Sequence, residues 1–412
     1  MITPKMKIKK LKILFWGNSG NYPYQLAEIL KTNHYVEMYL MKSDNQWKNK
    51  AQNIDLLAMP KWIKEYDDTS FLKRTFINKR ILNYINSNFD VAIVCGISLQ
   101  SSFNFKIPYV IFPTGGEINS SPFFSFKSFL NPFTFLTQLF YNISIQKAEK
   151  IFSTADGFSF HLKAYARFKY KGVVNCYAPV DQNYIEGLVN QRLLDELNEK
   201  YKKYKLVILW LNRCNMETNT PSFKDPNLFL DSVFEVLKKS KNIKVIYAKH
   251  GRELQQFENR ISENGLEEYF DGVPYLESGA YQAYLSIKNA LVVDSLAPNG
   301  GYNSNVMRES LALKVPIAAN YDDDIYSVYP ECYPVFRVNK GSDLEEIIRN
   351  LYTWNENDRE TYKKSVQIWF EKYMSHKSVI KNYEKELKYL VLLNRYKSSS
   401  FFPLSLFGKN KI

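Results

Sequence analysis

The sequence has little cysteine and no long apolar run. Its 412 residues include 4 Cys, which are widely separated and form no Cys-x-x-Cys pair. This spacing excludes a disulfide framework and a paired zinc motif, and it predicts a buried, reduced thiol at all four positions. The most apolar long stretch, residues 129–145, is interrupted by Asn, Pro, Thr and Gln and does not predict a membrane span. The basic N-terminus is followed by too few apolar residues for a secretory signal, so we expect a cytoplasmic protein.

Positive charge and aromatic residues are abundant. Lys and Arg number 55 against 42 Asp and Glu, a formal net charge of +13, and the chain has 28 Phe and 30 Tyr. Three origins are consistent with this composition: AT-rich codon usage, nucleic-acid binding through stacking and phosphate contacts, and contact with an anionic membrane. Composition alone does not choose between them. We expect no nucleic-acid partner, because the sequence patterns of the common RNA- and DNA-binding modules are absent.

Short apolar segments alternate with helical patterns along the chain. Continuous apolar runs are typical of strands buried on both faces, as in a parallel sheet. They predict strands over residues 12–16, 91–95, 109–113, 150–153, 173–177, 205–211, 243–248, 290–295, 316–320 and 335–338. Amphipathic patterns predict helices over residues 23–30, 226–239, 255–264 and 303–313. The alternation occurs twice and predicts an α/β fold of two doubly wound, Rossmann-like lobes that meet near residue 190.

Two cations flank the first loop of the second half. Arg213 follows a predicted strand, and Lys224 precedes a helix that Asp225 is expected to cap and Pro226 to begin. Two cations at one sheet edge suit a diphosphate, because each neutralises charge on a non-bridging oxygen. Isolated surface charges in a basic chain are the alternative.

A glycine loop and a carboxylate occupy the last strand–helix connection. Free backbone amides at the N-terminus of a helix that begins at about Asn303 suit a phosphate, and they come from Gly300, Gly301 and Tyr302. Glu309 lies on this helix among core-facing residues, where a carboxylate is costly without a partner such as ligand hydroxyls. The alternative is a surface ion pair of Glu309 with Arg308 or Lys314.

Two loops of the first half also follow predicted strands. The first contains Gly20 but is not a Gly-x-Gly-x-x-Gly motif, so a tight turn without ligand is an equal alternative. The second contains Gly115 and Gly116, which permit close backbone approach, followed by Glu117. Glu117 is a candidate to orient a sugar hydroxyl or to act as a base, and a solvated glutamate is the alternative.

The motifs in this order resemble a known family. ESLALKVPIAA, residues 309–319, resembles the E-A-M-A-x-G-x-P-V-I-A signature of retaining, nucleotide-sugar-dependent glycosyltransferases of the GT-B fold, family 4. KDPNLFLDSVFEVLKK resembles the family's lysine and following helix, and AYLSIKNALVVDSL resembles its Y-x-x-A-D-x-x-V-x-S segment. FDVAIVCGISLQ and KIPYVIFPTGGEI are similar to its first-lobe motifs. The likeness spans nearly the whole chain and is strongest over residues 205–320.

The resemblance implies an N-terminal acceptor lobe over residues 1–190, a C-terminal donor lobe over 191–375, and helices over 376–412 that cross back to the first lobe. It implies an enzyme that moves a sugar from a nucleoside-diphosphate sugar to a growing glycan or lipid-linked acceptor. The configuration would be retained, and the pathway would be bacterial surface polysaccharide or lipopolysaccharide synthesis. It implies no cofactor and no metal, so the acidic run 322–324 is expected to be solvated charge.

Carried over position by position, the resemblance assigns Arg213 and Lys224 to the donor diphosphate, where they stabilise the leaving group. It assigns Glu309 to the donor ribose. The residues of its own loop, rather than the resemblance, make Glu117 the further catalytic candidate. Further donor-binding positions are Gly20, His250, Gly251, Val273, Gly300, Gly301, Tyr302 and Asn303. The acceptor-binding positions are Gly115, Gly116 and Glu117.

Two departures from the family pattern leave alternatives open. The first glutamate of the family's Glu-x7-Glu falls on Gly301, and the histidine of the first-lobe glycine loop is replaced by the stretch Pro113-Thr114-Gly115. The alternatives are a catalytically silent GT-B protein that binds nucleotide sugars or glycans, and a GT-B sugar-nucleotide epimerase.

Residues 121–150 and the tail 388–411 concentrate Phe, Leu and Lys. The first segment has an apolar stripe at helical spacing, formed by Phe133, Leu136, Phe140 and Ile143. Both segments are candidates for peripheral contact with an anionic membrane, which would place the protein at the inner face of the cytoplasmic membrane. An ordinary core helix is the alternative for residues 121–150.

Overall fold

The computed structural model describes residues 10–18, 22–42, 59–113, 124, 130–154, 172–216, 224–297 and 304–398. These residues form two fully parallel sheets, one of seven strands and one of six, and helices cover both faces of each sheet. The fold expected from the alternation of strands and helices is therefore confirmed. No helix in the described ranges has the length and apolar character needed to cross a membrane.

The first sheet has the strand order β3-β2-β1-β4-β5-β6-β7. Its strands are Lys12–Trp16 (β1), Tyr35–Met41 (β2), Ile63–Tyr66 (β3), Val91–Val94 (β4), Tyr109–Ile111 (β5), Lys150–Ser153 (β6) and Val173–Asn175 (β7). Its helices are Tyr22–Lys31 (α1), Phe71–Thr75 (α2), Lys79–Asn88 (α3) and Pro132–Lys147 (α4), with a 3-10 helix over Gly96–Asn104.

The second sheet has the order β10-β9-β8-β11-β12-β13. Its strands are Leu206–Trp210 (β8), Ile243–Ala248 (β9), Phe270–Val273 (β10), Ala290–Val293 (β11), Ile317–Ala319 (β12) and Phe336–Arg337 (β13). The helices of the second half are Gln182–Leu188 (α5), Gln191–Tyr201 (α6), Pro226–Leu237 (α7), Leu254–Glu263 (α8), Ala280–Leu285 (α9), Asn305–Ala312 (α10), Gly341–Thr353 (α11), Glu356–Tyr373 (α12) and His376–Ser398 (α13).

The last helix returns to the first lobe. Alternate residues of β1 face opposite sides of the sheet, and Ile13 and Phe15 lie on the side that α13 covers. The Tyr383 ring of α13 lies 5.4 Å from the Phe152 ring, and Lys150 Nζ lies 2.6 Å from Glu386 Oε2. Helix α12, directly before it, instead packs Trp369 and its neighbours into the second lobe. The exact domain boundaries remain predictions.

Three strands, β2, β3 and β10, were not expected from the sequence. Each carries a charged residue that interrupts its apolar run. In β2, Glu37 is buried because Lys64 Nζ from β3 lies 2.6 Å from its carboxylate and the Tyr84 hydroxyl donates to it over 2.9 Å. One thiol also differs from expectation: Cys332 is exposed, since it lies in a surface turn beyond the short 3-10 helix that follows β12, whereas the other three cysteines are buried.

Candidate functional site

The carboxyl ends of β8, β9, β10 and β11 lie side by side at one edge of the second sheet. In open parallel sheets this edge is where ligands bind, because the strand–helix loops and helix N-termini collect there. Arg213, His250 and Val273 lie at or just beyond three of these strand ends, and Lys224 precedes α7 in the connection that leaves β8.

The loops after β8 and β9 are joined by hydrogen bonds. Cys214 N donates to His250 O over 2.7 Å, and Arg252 N donates to Asn215 Oδ1 over 3.1 Å. Gly251 has a φ of +137°, and a Cβ at this position would lie 2.5 Å from Cys214 N. Only glycine permits this approach. The contact places Arg213, whose side chain is exposed, next in the chain to a residue that bonds to His250; the roles of both in donor binding stay predictions.

The loops after β9 and β10 form an aromatic corner. Lys249 N donates to Val273 O over 2.7 Å, which fixes the strand ends. The His250 ring then lies 5.1 Å from the Tyr275 ring, and Tyr275 is 51% exposed. From the sequence, His250, Gly251 and Val273 were named as donor-binding positions here and no role was given to Tyr275. The sequence feature that could have indicated Tyr275 is its position, an aromatic residue two positions after the end of β10.

Lys224 is held by a carboxylate that sequence reasoning also missed. Lys224 Nζ lies 3.4 Å from Asp294 Oδ1, and the Asp294 side chain is fully buried. The sequence had placed Asp294 inside a strand over residues 290–295, but β11 ends at Val293 and Asp294 is the first residue beyond it. The sequence feature that could have indicated Asp294 is a carboxylate directly after an apolar strand.

Helix α10 begins later than expected. The predicted start at about Asn303 is wrong, because Ser304 is the N-cap: its Oγ accepts from Met307 N over 3.2 Å, and the helix runs from Asn305. The amides proposed for phosphate binding, those of Gly300, Gly301, Tyr302 and Asn303, lie outside the described residues.

Glu309 on α10 is bound by a neutral partner. Gln282 Nε2 donates to Glu309 Oε2 over 2.9 Å, and burial raises the pKa of Glu309 to about 7 although this hydrogen bond opposes the shift. The alternative of a surface ion pair is wrong, because Lys314 Nζ lies 3.1 Å from Glu186 and Arg308 turns to the other lobe. Glu309 therefore remains available to accept hydrogen bonds from a ligand when it is ionised.

Arg308 spans the cleft. Its guanidinium lies 3.7 Å from the Tyr22 ring at the start of α1, and Nη2 donates to Thr154 Oγ1 over 3.5 Å at the end of β6. Tyr281 on α9 lies within electrostatic range of Glu309, Asp294 and Tyr22, and burial raises its pKa well above the usual value. The two lobes thus meet beside Glu309, a contact that no local sequence pattern indicated.

The first-lobe candidates Gly20, Gly115, Gly116 and Glu117 lie outside the described residues. In the ranges that the structure describes, no three His, Cys, Asp or Glu side chains come together as a metal site. Of the acidic run 322–324, the Asp323 carboxylate lies 2.5 Å from Arg337 Nη1.

Comparisons with known proteins give structural matches without sequence matches. No protein-family model and no curated protein sequence matches the chain significantly. The HepE protein of Anabaena, solved with UDP and glucose, superposes with a TM-score of 0.60 at 11% identity, over 92% of this chain and 100% of that one. A glycosyltransferase from Rickettsia africae gives 0.59 at 14% identity, over 93% and 99%. UDP-GlcNAc 2-epimerase from Methanocaldococcus jannaschii gives 0.50 at 12% identity, over 92% and 99%.

These likenesses cover more than nine-tenths of this chain, at identities that carry information on the fold alone. Two fully parallel sheets, of seven and six strands and each covered by helices, are the architecture that these structures match. The chain therefore has the GT-B fold.

Proposed function

We propose that the chain is a glycosyltransferase that moves a sugar from a nucleoside-diphosphate sugar to a glycan or lipid-linked acceptor, with retention of configuration, in bacterial surface polysaccharide or lipopolysaccharide synthesis. The observation that carries the proposal is the carboxyl edge of the second sheet, whose strand–helix connections carry a tethered lysine, an exposed arginine and a partly buried carboxylate. The structural likeness to proteins solved with UDP supports a nucleotide donor.

The donor fits this edge group by group. The cationic ends of Arg213 and Lys224 would face the diphosphate, and the ionised Glu309 would accept hydrogen bonds from two ribose hydroxyls. The aromatic corner of His250 and Tyr275 offers a flat surface to the base. No dedicated nucleophile is needed if the acceptor hydroxyl attacks beside the departing diphosphate. The cations then stabilise the charge that develops on the leaving group.

A sugar-nucleotide epimerase is the second candidate, favoured by the structural likeness to UDP-GlcNAc 2-epimerase. A catalytically silent binder is the third, favoured by Gly301 in place of a family carboxylate. Under either alternative, Arg213, Lys224 and Glu309 would still bind the nucleotide part of the ligand. The acceptor assignment of Glu117 stays a prediction.

The test is incubation with a panel of nucleoside-diphosphate sugars, with and without glycan and lipid-linked acceptors. We expect release of nucleoside diphosphate with one donor, and a product whose anomeric configuration by NMR equals that of the donor. Arg213→Met is expected to lower turnover roughly 100-fold, the loss typical when one charge-stabilising donor is removed.

The matched control is Arg192→Met on α6, whose side chain is 91% exposed and pairs with Glu196. It should leave turnover unchanged. An epimeric nucleotide sugar without release of nucleoside diphosphate would establish the epimerase instead. Tight nucleotide binding without turnover of any donor would establish the silent binder.

The acceptor side of the first lobe carries an exposed apolar surface. We call it the Phe patch: Phe71, Phe76, Phe103, Phe133 and Phe140. Ring centroids lie 5.7 Å apart for Phe71 and Phe133, 5.6 Å for Phe76 and Phe140, and 5.1 Å for Phe103 and Phe140. Phe133 is 64% exposed, and Leu72 beside Phe71 is 66% exposed. The stripe expected on α4 is therefore not its core face, which instead consists of Gln138, Tyr141, Ser144 and Ile145.

The Phe patch lies near the cleft. Helix α2 follows the carboxyl end of β3, and α4 leads into the amino end of β6, so its Phe133 end points to the carboxyl edge. Lys79 and Arg80, both exposed, follow Phe76 closely, and Lys147 Nζ lies 6.0 Å from the Phe103 ring. Exposed aromatics with basic neighbours suit an anionic lipid surface. The described part of the tail segment, residues 388–398, belongs to α13 and packs on the opposite face of the sheet.

A double variant tests this membrane contact. Leu72→Ser with Phe133→Ser is expected to weaken binding to phosphatidylcholine vesicles that contain phosphatidylglycerol about 10- to 100-fold in a sedimentation assay, because two apolar side chains no longer enter the interface. Ile368→Ser on α12, where Ile368 is 69% exposed, is the control and should bind as the wild type does. Wild-type protein that stays in solution at every lipid concentration would disprove the contact.

A further inference from the structure

Asp294 connects two separate parts of the candidate donor site. It follows β11, and its own amide donates to Ala318 O over 3.0 Å, which extends the sheet by one residue and fixes its backbone. Its side chain is fully buried. A buried carboxylate is costly unless opposite charge and hydrogen bonds compensate for the lost water. Moving the partners of Asp294 away would leave this buried carboxylate uncompensated, which favours keeping them in place.

The first partner is Lys224. Its Nζ lies 3.4 Å from Asp294 Oδ1, and its backbone carbonyl accepts from Leu296 N over 3.0 Å. The segment after β11 thus binds this lysine by both side chain and main chain. The contact with Asp294 is an ion pair without a hydrogen bond, and the Lys224 side chain is 22% exposed, so its N–H donors are accessible to a ligand.

The second partner is Ser304. Its hydroxyl donates to Asp294 Oδ2, and the same oxygen caps α10 by accepting from Met307 N over 3.2 Å. Helix α10 carries Glu309 one turn further on. The Asp294 carboxylate therefore joins Lys224, before α7, to Ser304, the N-cap of α10. Lys224 lies 70 positions before Asp294 in the chain, and Ser304 lies 10 positions after it.

We propose that Asp294 is a positioning residue that holds Lys224 and the first turn of α10 in one arrangement for the donor diphosphate. This inference rests on the proposed function for the identity of the ligand. Because Asp294 balances the lysine charge, Lys224 serves the diphosphate through directed N–H donors more than through net charge. Net attraction for the anion then depends on Arg213 and the amides near the N-terminus of α10.

A double-mutant cycle of Lys224→Met and Asp294→Asn tests the inference, measured by the free energy of unfolding and by affinity for UDP, GDP, ADP, CDP and TDP. Asparagine keeps an oxygen for Ser304 and removes the charge. Asp294→Asn alone is expected to weaken affinity for the preferred nucleotide about 10- to 100-fold, because Lys224 loses the ion pair that orients it. In the Lys224→Met background it should weaken affinity no further.

Stability gives a readout that needs no nucleotide. Lys224→Met leaves a buried carboxylate without its cation and should destabilise the fold, and adding Asp294→Asn should restore much of that stability. The control pair is Lys244→Met and Asp271→Asn, whose side chains pair over 2.7 Å away from the cleft. Those variants should alter stability and leave nucleotide affinity unchanged.

The outcomes separate the two proposals. Coupled stabilities in a wild-type protein that binds no nucleoside diphosphate would reject the proposed function and keep the Asp294–Lys224 tether. Nucleotide affinity that falls equally for Asp294→Asn in both backgrounds, or does not fall at all, would overturn the positioning role while the proposed function stands.

Discussion

Gly251→Ala is expected to lower the free energy of unfolding by roughly 2–6 kcal/mol, the sum of left-handed backbone strain and overpacking. The new Cβ would lie 2.5 Å from Cys214 N and 2.7 Å from Cys214 O, both backbone atoms that side-chain movement cannot relieve. The β8 and β9 loops must then separate, and Arg213 moves with Cys214. We therefore expect weaker nucleotide binding in addition, measured by calorimetry beside urea unfolding.

Gly265→Ala is the matched control. Gly265 also has a positive φ, +64°, but nothing lies within 4 Å of the position that an alanine Cβ would take at this turn after α8. It should cost about 1 kcal/mol, the strain of a left-handed alanine, and leave nucleotide binding intact. Equal losses for the two variants would show that crowding against Cys214 contributes nothing.

Glu309→Gln is expected to remove a pH dependence from both stability and nucleotide binding. The pKa of Glu309 is about 7 in the folded protein, above its usual value, so the folded state binds the proton more tightly than the unfolded state does. The stability that this group contributes is present below about pH 4.5 and is lost as the pH rises through about 7. The wild type should therefore lose about 2–3 kcal/mol more than Glu309→Gln between those pH values.

Nucleotide binding should change in the opposite direction. Ribose hydroxyls donate to an ionised carboxylate, so wild-type affinity should rise about tenfold between pH 6 and pH 8. Glu309→Gln should bind more weakly and show little change over that range. Glu186→Gln is the control, since Glu186 is an exposed partner of Lys314. A wild type whose affinity is constant with pH would contradict the assignment of Glu309 to the ribose.

Strands with a sufficiently long apolar run could be predicted from the sequence, and strands in which a charged residue interrupts the run were missed. The predicted bounds of β1, β6 and β9 agree with the structure to the residue; in β9 the residues from Val245 to Ala248 are still apolar although Lys244 lies near the start of the strand. In β2, β3 and β10 a charge breaks the run, and its neutralisation comes from another strand or helix. Local pattern contains no information on such a partner.

The same distinction holds for the site. Lys224 was found because Asp225 and Pro226 mark a helix start, and the structure has both as N-cap and first residue of α7. Asp294 was missed because its role depends on a lysine 70 positions earlier in the chain. Arg308 had been considered only as an alternative ion-pair partner of Glu309, whereas its contact with Tyr22 requires the two lobes to be assembled.

The return of α13 to the first lobe has a consequence for synthesis on the ribosome. Strands β1–β7 emerge early, but the face that includes Ile13 and Phe15 is covered by Val379, Tyr383 and Leu387. Until those residues have left the exit tunnel, that apolar face is covered only in part, by Leu26, Ile29 and Leu30 of α1. The second lobe, whose core is complete once Met374 has emerged, can close first. The half of the chain that is made first is therefore the half that finishes folding last.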